Sequence, residues 1–274
     1  MPKGYSLHIG LNSVNSHHYD GWTGALQACE NDAAAMAAIA QKLNYAKITM
    51  LKTKHATREA VKDTLETYAS MLTIGDIFLL SYSGHGGQLP DLNGDEITDG
   101  KDETWCLYDG ELLDDELHNL FTRFAKGVRI LVISDSCHSG SVTREYASLG
   151  ASLVEAHPKA AYRFMPQEVA RRTYLKNKTL YEPLCQGSRV AKKKLQATVR
   201  LLSGCQDNQT ALDGDFNGLF TQRLLQTWNN GLFKGNYKDF HKAILKLMPS
   251  YQTPVHSING KRNLTFDKQI PFQI

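Results

Sequence analysis

Two nearly continuous apolar runs constrain the fold of this chain more than any other feature. Residues 76–83 read DIFLLSYS and residues 128–136 read VRILVISDS, and each run leads directly into a short polar loop that contains glycine. Runs of this kind are typical of parallel strands that helices cover on both faces. They predict an α/β fold with a mostly parallel central sheet and helices on both of its faces.

The remaining segments fit such a fold. Further elements are expected as strands at 5–11, 47–51 and 198–205, helices at about 23–43, 57–72, 217–229 and 236–247, a β-ribbon near 104–113 and a helix that starts at Asp114. Strands that alternate with helices favour right-handed crossover connections within one sheet. We expect a single domain over 1–274, with a catalytic part at 1–142, a basic insertion or lid at 143–197 and a C-terminal part at 198–274.

Composition limits the partners and the compartment. The formal net charge of the 274 residues is only +3, so the charge balance demands neither a nucleic acid nor a membrane surface. We find no signal peptide and no apolar run of membrane-spanning length. The five cysteines form no CxxC pair and are too few for a disulfide framework. We therefore expect a cytoplasmic protein that binds neither nucleic acid nor membranes.

The two apolar runs deliver residues that can perform nucleophilic catalysis. His85 follows the first run and Cys137 follows the second. Loops at the carboxyl ends of neighbouring parallel strands lie side by side, so the imidazole can activate the thiol and later protonate a leaving amine. The backbone N–H groups of Gly86 and Cys137 are candidates for an oxyanion hole. Alone, each side chain is more simply a buried thiol or a turn residue, and their pairing favours catalysis.

The motifs around these residues resemble those of the metacaspase branch of the caspase-like cysteine peptidases. YSGHGG at 82–87 and DSCHSGS at 135–141 are similar to that family's histidine and cysteine motifs, and the resemblance extends from residue 5 to about 250. The histidine of caspases precedes the cysteine by about 50 residues, and the spacing here is 52 residues. The resemblance implies a caspase-like sheet, a Cys–His dyad, cleavage after Arg or Lys, a monomeric state and, in many members, calcium dependence.

Cleavage after a basic residue requires buried carboxylates that pair with the desolvated cation. Asp135 precedes the cysteine by two residues, and Asp32 lies on the expected first helix; both match the family's pocket, to which Ser83 can add a hydroxyl. Without the resemblance, Asp32 is equally well an exposed acid on a helix surface. Asp207 and Gln209 are weaker candidates for the same site. The expected substrates are proteins or peptides with Arg or Lys at the cleavage position.

Calcium is expected through the resemblance, which assigns it to Asp102, Asp114 and Asp115. A fourth acid of the family is replaced here by Arg144. Asp114 and Asp115 are explained equally well as the start of a helix, where acids favour the positive end of the helix dipole. Both interpretations stay open at this point.

The predicted function is therefore a cysteine endopeptidase that cuts after Arg or Lys. Three alternatives stay open: a clostripain-like peptidase with the same dyad, a catalytically silent scaffold that binds calcium or a protein partner, and an acyl- or thiol-transferase. The basic insertion adds the hypothesis of self-cleavage. Its candidate cut sites are Lys159, Arg163, Arg171, Arg172, Lys176, Lys178, Arg189 and 192–194. The competing interpretation is a helical lid, for which QEVARRTYLKN is a suitable segment.

Overall fold

The computed structural model describes residues 1–94, 100–137, 161–187, 193–205, 213–214 and 216–274. A six-stranded sheet forms its centre. Its strands are β1 Gly4–Gly10, β2 Lys47–Lys52, β3 Ile77–Ser83, β7 Arg129–Asp135, β8 Thr198–Ser203 and β9 Val255–Gly260. They lie in the order β2–β1–β3–β7–β8–β9. The first five pair in parallel, and only β9 runs antiparallel to its neighbour. The predicted mostly parallel sheet is confirmed.

A small antiparallel sheet lies between β3 and β7 in the chain. It consists of β4 Gly86–Pro90, β5 Lys101–Leu107 and β6 Gly110–Leu113. The last two are the β-ribbon expected near 104–113. Strand β4 begins immediately after His85, so the residue after this histidine is held by backbone pairing with Trp105.

Helices cover both faces of the central sheet. They are α1 Cys29–Lys42, α2 Arg58–Met71, α3 Asp114–Phe121, α4 Gln167–Lys176, α5 Lys178–Gln186, α6 Leu219–Trp228, α7 Tyr237–Leu245 and the short α8 Leu264–Lys268. Phe78 and Leu80 of β3 belong to the core beneath α2 and α3. Ile77 and Leu79, which alternate with them, belong to the core beneath α1, α6 and α7. The continuous apolar run therefore arises because both faces of β3 are buried.

The described part of the basic insertion is not an irregular connection. Residues 167–176 form α4, as the helical-lid interpretation requires, and α5 follows it directly. Arg171 and Arg172 lie on α4, where they pair with Glu168 and Asp20 at 3.0 and 2.9 Å. Of the other candidate cut sites, Lys159, Arg189 and Lys192 lie outside the described residues. Within the described segments no helix combines the length and the apolar character needed to cross a membrane.

Candidate active site

The sheet brings the two candidate catalytic loops to one edge. Strands β3 and β7 pair in parallel along their whole length, and Ser83 lies opposite Asp135 at their carboxyl ends. His85 and Cys137 each follow two residues later. The Tyr82 hydroxyl donates to the His85 carbonyl at 2.6 Å and fixes the first loop. A Cβ on Gly84 would lie 2.7 Å from that hydroxyl, so this close approach needs glycine.

Two backbone N–H groups converge on one carbonyl oxygen at this edge. The N–H groups of Gly86 and Cys137 donate to the carbonyl of Arg163, at 3.0 and 3.1 Å. These are the two donors that the sequence predicts for an oxyanion hole. A pair of donors at such distances from one oxygen can stabilise negative charge on it. Because one donor follows His85 and the other belongs to Cys137, the two loops lie side by side.

His85 is held in one orientation inside the site. Its Nε2 lies 3.1 Å from the Gly24 carbonyl oxygen, and its ring lies against Trp22 with 4.6 Å between ring centroids. Burial lowers the pKa of His85 to about 4, although backbone groups of Gly24 and Phe164 act in the opposite direction. The imidazole is therefore neutral near pH 7. Its Nδ1 has no hydrogen-bond partner among the described residues, so this nitrogen is available to accept a proton.

The side chain of Arg163 enters a pocket formed by three carboxylates. Its guanidinium is fully buried and lies 2.7 Å from Asp32, 3.0 Å from Asp135 and 2.8 Å from Asp213. It also donates to the Ser83 hydroxyl at 2.9 Å. The structure thus brings together all three residues that the sequence predicts for the basic pocket, and Asp32 is not an exposed helix acid.

Other groups orient these carboxylates. Asp32 accepts from Asn217 and from the N–H of Gly218 at 2.8 and 3.0 Å. Asp135 accepts from the hydroxyl and the N–H of Thr221 at 2.7 and 3.1 Å. A Cβ on Gly218 would lie 2.5 Å from the guanidinium, so glycine at this position leaves the space that the guanidinium fills.

Sequence reasoning missed Asp213 and Gly218. Asp213 follows Asp207 and Gln209, the weaker candidates for this site, by only a few residues, and this was the available signal. The neighbouring candidates Asp207 and Gln209 lie outside the described residues. Gly218 offers no signal in sequence because its importance lies in the absence of a Cβ close to another side chain.

The pocket is strongly anionic without a bound cation. Burial raises the pKa of Asp135, and the Arg163 charge opposes this rise. Burial alone would lower the pKa of Arg163, but Asp135, Asp32 and Asp213 together raise it well above its usual range. A charged guanidinium is therefore the species that this pocket stabilises. Carboxylates this deeply buried require such a partner.

Backbone pairing continues on both sides of Arg163. Two residues before it, the Ala161 carbonyl accepts from the N–H of Asp213 at 2.9 Å. Two residues after it, the N–H of Met165 donates to the Gly86 carbonyl at 2.8 Å. The segment 161–165 is thus held by the Arg163 side chain, by the Arg163 carbonyl and by one backbone hydrogen bond on each side of Arg163. Peptides are held by similar backbone contacts in β-strand recognition.

The expected calcium ligands lie away from this pocket. Asp102 lies on β5, where it pairs with Leu89, and Asp114 and Asp115 are the first two residues of α3. Asp115 accepts from the Asn93 amide at 3.1 Å. Among the residues that the structure describes, no group of three or more Asp, Glu, His or Cys side chains could hold a metal ion. Arg144 lies outside these residues, and calcium binding stays a prediction.

The comparisons with known proteins agree on one family. A family model described as the caspase domain matches residues 13–271. Metacaspase-1 of Schizosaccharomyces pombe is 31% identical over 81% of this chain and 58% of its own length. Metacaspase-1 of Coccidioides immitis is 29% identical over 87% of this chain and 59% of its own length. The chain therefore spans about three fifths of the length of these fungal relatives.

The solved structures that are similar to this chain include a close relative and a distant one. The crystal structure of protein GSU0716 from Geobacter sulfurreducens is 50% identical, covers 99% of both chains and has a TM-score of 0.87. Caspase-1 from Spodoptera frugiperda is 11% identical, with a TM-score of 0.56 over 94% of this chain and 86% of its own. The second likeness concerns the fold alone, and it confirms the expected caspase-like sheet.

Proposed function

We propose that this chain, which belongs to the caspase domain family of cysteine-type peptidases, is an endopeptidase that cleaves after arginine and, less efficiently, after lysine. The observation that carries this proposal is the position of Arg163. Its guanidinium contacts three buried carboxylates while its carbonyl accepts from Gly86 and Cys137. A substrate that placed an arginine in the same way would present its carbonyl beside the Cys137 thiol.

The chemistry then follows from the groups at this edge. Nδ1 of His85 takes the thiol proton, and the Cys137 thiolate attacks the carbonyl carbon of the bound arginine. Negative charge develops on the carbonyl oxygen, where the N–H groups of Gly86 and Cys137 stabilise it. The protonated His85 then donates to the leaving amine, and water hydrolyses the acyl-enzyme. The Gly24 carbonyl oxygen keeps the imidazole oriented throughout.

The preference for arginine rests on the shape of the pocket. A planar guanidinium can meet Asp32 and Asp213 through one nitrogen and Asp135 and Ser83 through the other, as Arg163 does. A lysine ammonium is a point charge and cannot reach all four groups at once. It should bind and be cleaved, but with a lower specificity constant.

The same contacts single out a bond for self-cleavage, namely Arg163–Phe164. Among the described candidate cut sites, Arg163 alone contacts the pocket carboxylates, whereas Arg171, Arg172 and Lys176 lie on a helix. Phe164, whose nitrogen would be the leaving group of this reaction, packs against Cys137. The uncut chain would therefore block its own pocket, and cleavage would leave a fragment 1–163 that contains His85 and Cys137.

Two assays on the purified protein test this function. The first follows cleavage of a positional peptide library with wild type and with Cys137→Ala. The proposal requires cleavage after Arg and Lys by wild type and none by the variant. Cleavage after Asp or after a large apolar residue would overturn the specificity. A wild type that hydrolyses no peptide, even after its own segment has been cut, would favour the silent scaffold.

The second assay is mass spectrometry of the incubated chain. We expect fragments that end at Arg163 and begin at Phe164 in wild type, and neither fragment in Cys137→Ala or Arg163→Gln. Arg172→Gln is the matched control, because it removes an exposed arginine of the same insertion, and it should be cut like wild type. Fragments in Cys137→Ala would indicate a contaminating protease, and a first cut elsewhere would contradict the assignment of the bond.

A further inference from the structure

A second cysteine lies against the proposed nucleophile, and the reaction above does not use it. Cys205 follows the end of β8, and its Sγ lies 2.9 Å from the Sγ of Cys137 and 3.3 Å from the Ser136 carbonyl oxygen. Both side chains are buried, with exposed fractions of 0% for Cys137 and 5% for Cys205. The two residues and Phe164 form an apolar cluster of their own.

The backbone permits a covalent bond between these sulfurs. Ser203 lies opposite Ser134 in the parallel β7–β8 pair, and the N–H of Gly204 still donates to the Ser134 carbonyl at 2.8 Å. Two residues further along, Cys205 is level with Ser136 and adjacent to Cys137. Neighbouring strands lie about 4.8 Å apart, and disulfides join residues whose Cα atoms are about 4.4–6.8 Å apart. This spacing suits a disulfide, and the two sulfurs, already 2.9 Å apart, need to approach by only about 1 Å to reach the length of an S–S bond.

We propose that Cys205 is a resolving cysteine that converts oxidised Cys137 into a reversible disulfide, with hydrogen peroxide as the oxidant. The loss of peptidase activity that follows rests on the proposed role of Cys137 as nucleophile, whereas the disulfide itself does not. Because the pair lies inside the site, the disulfide would block Cys137. Reduction by a thiol would then restore the free Cys137 thiol.

The reaction balances as a two-electron oxidation. The Cys137 thiolate attacks one oxygen of the peroxide; an S–O bond forms while the O–O bond breaks, and the products are a sulfenic acid and hydroxide. Cys205 then attacks the sulfenic sulfur; the S–S bond forms, the S–O bond breaks, and the oxygen leaves as water with the thiol proton. The two thiols are oxidised, and the peroxide is reduced to two waters. Without Cys205, further peroxide would carry Cys137 to the sulfinic acid, which ordinary thiols do not reduce.

The experiment uses the full chain and a readout that needs no peptidase activity. Wild type and Cys205→Ser receive hydrogen peroxide until iodoacetamide no longer labels Cys137, and one half of each sample is then reduced with dithiothreitol. We expect wild type to yield a linked peptide pair that contains Cys137 and Cys205, and to regain most of its Cys137 labelling after reduction. In Cys205→Ser, Cys137 should carry two added oxygens, and its labelling should stay lost.

Two further variants make the outcome decisive. Cys185→Ser changes a buried cysteine on α5, remote from this cluster, and should behave like wild type. Cys205→Ala replaces Cys205→Ser if the serine variant does not fold. Equal recovery of labelling with and without Cys205, or consumption of Cys137 in wild type with no linked peptide, would overturn the proposal. Linked peptides in a protein that cleaves no substrate would instead leave the disulfide standing and refute only the proposed peptidase.

Discussion

Replacement of Asp213 by asparagine is the sharpest test of the basic pocket. The change keeps the size of the side chain and one acceptor oxygen but removes one of the three negative charges that face the guanidinium. Asp213 and Arg163 are 2% and 0% exposed, and their charged atoms lie 2.8 Å apart, so solvent hardly screens this pair. A bound substrate arginine would lose the same contact.

The expected loss of activity depends on how many carboxylates still contact the guanidinium in the variant. Loss of one partner of a buried, hydrogen-bonded charge pair costs about 2–5 kcal/mol. Asp32 contacts the same guanidinium nitrogen at 2.7 Å and remains in the variant, so the lower part of that range applies. At 1.36 kcal/mol per factor of ten, a loss of about 2–3 kcal/mol lowers kcat/KM for arginine substrates roughly 30- to 160-fold.

The assay compares a peptide substrate that has arginine at the cleavage position with one that has citrulline, its uncharged analogue. The ratio of the two kcat/KM values cancels general damage to the enzyme, because such damage lowers both. Asp63→Asn, on the surface of α2, is the matched control and should leave the ratio unchanged. An Asp213→Asn enzyme whose ratio stays within about threefold of wild type, a difference under 1 kcal/mol, would refute the pocket assignment.

Three other changes probe separate features. Gly218→Ala places a methyl group where the guanidinium lies, so the ratio of kcat/KM for arginine over lysine peptides should fall; an unchanged ratio would contradict the steric argument. Burial raises the pKa of Glu111 to about 8, above its unfolded value of about 4.3. The contribution of this shift to the free energy of unfolding is therefore fully present below about pH 4 and is lost as the pH rises towards 8. Glu111→Gln should raise the melting temperature at pH 8 more than at pH 5. Calcium, if it acts through Asp102, should raise the hydrolysis rate at roughly 10⁻⁴–10⁻³ M, and full activity in excess chelator would remove it from the mechanism.

The fold was predictable where burial leaves a strong pattern in the sequence. Strands β3 and β7 are buried on both faces, and their apolar runs indicated their positions within one residue. Strand β4 was missed because two glycines and a proline within GGQLP give it little β-propensity. Strand β9 was missed because this edge strand is half exposed and shows no clear alternation of apolar and polar residues. In both cases pairing with a neighbouring strand, which a single sequence does not reveal, determines the structure.

The site was predictable where chain order and sheet topology agree. His85 and Cys137 follow two apolar runs, and parallel pairing of those runs is enough to place the loops together. Asp213 is distant from both loops in sequence, and only the folded chain brings it to the guanidinium. Arg163 was one of several basic residues in the insertion, with nothing in the sequence to distinguish it. Its proposed role depends on the positions of its own side chain and carbonyl in the folded chain, which the sequence does not reveal.

The three carboxylates connect the specificity of the site with the stability of the uncut chain. Buried carboxylates repel one another and lose hydration, and the raised pKa of Asp135 reflects this cost even with Arg163 present. A pocket lined by these three carboxylates is therefore unfavourable when no cation fills it. Before any substrate binds, the chain can offset that cost only with a cation of its own. Arg163 is that cation, and its guanidinium contacts all three carboxylates. Because the same residue presents its carbonyl to Gly86 and Cys137, the contact that stabilises the uncut chain also aligns the bond whose cleavage would release the pocket.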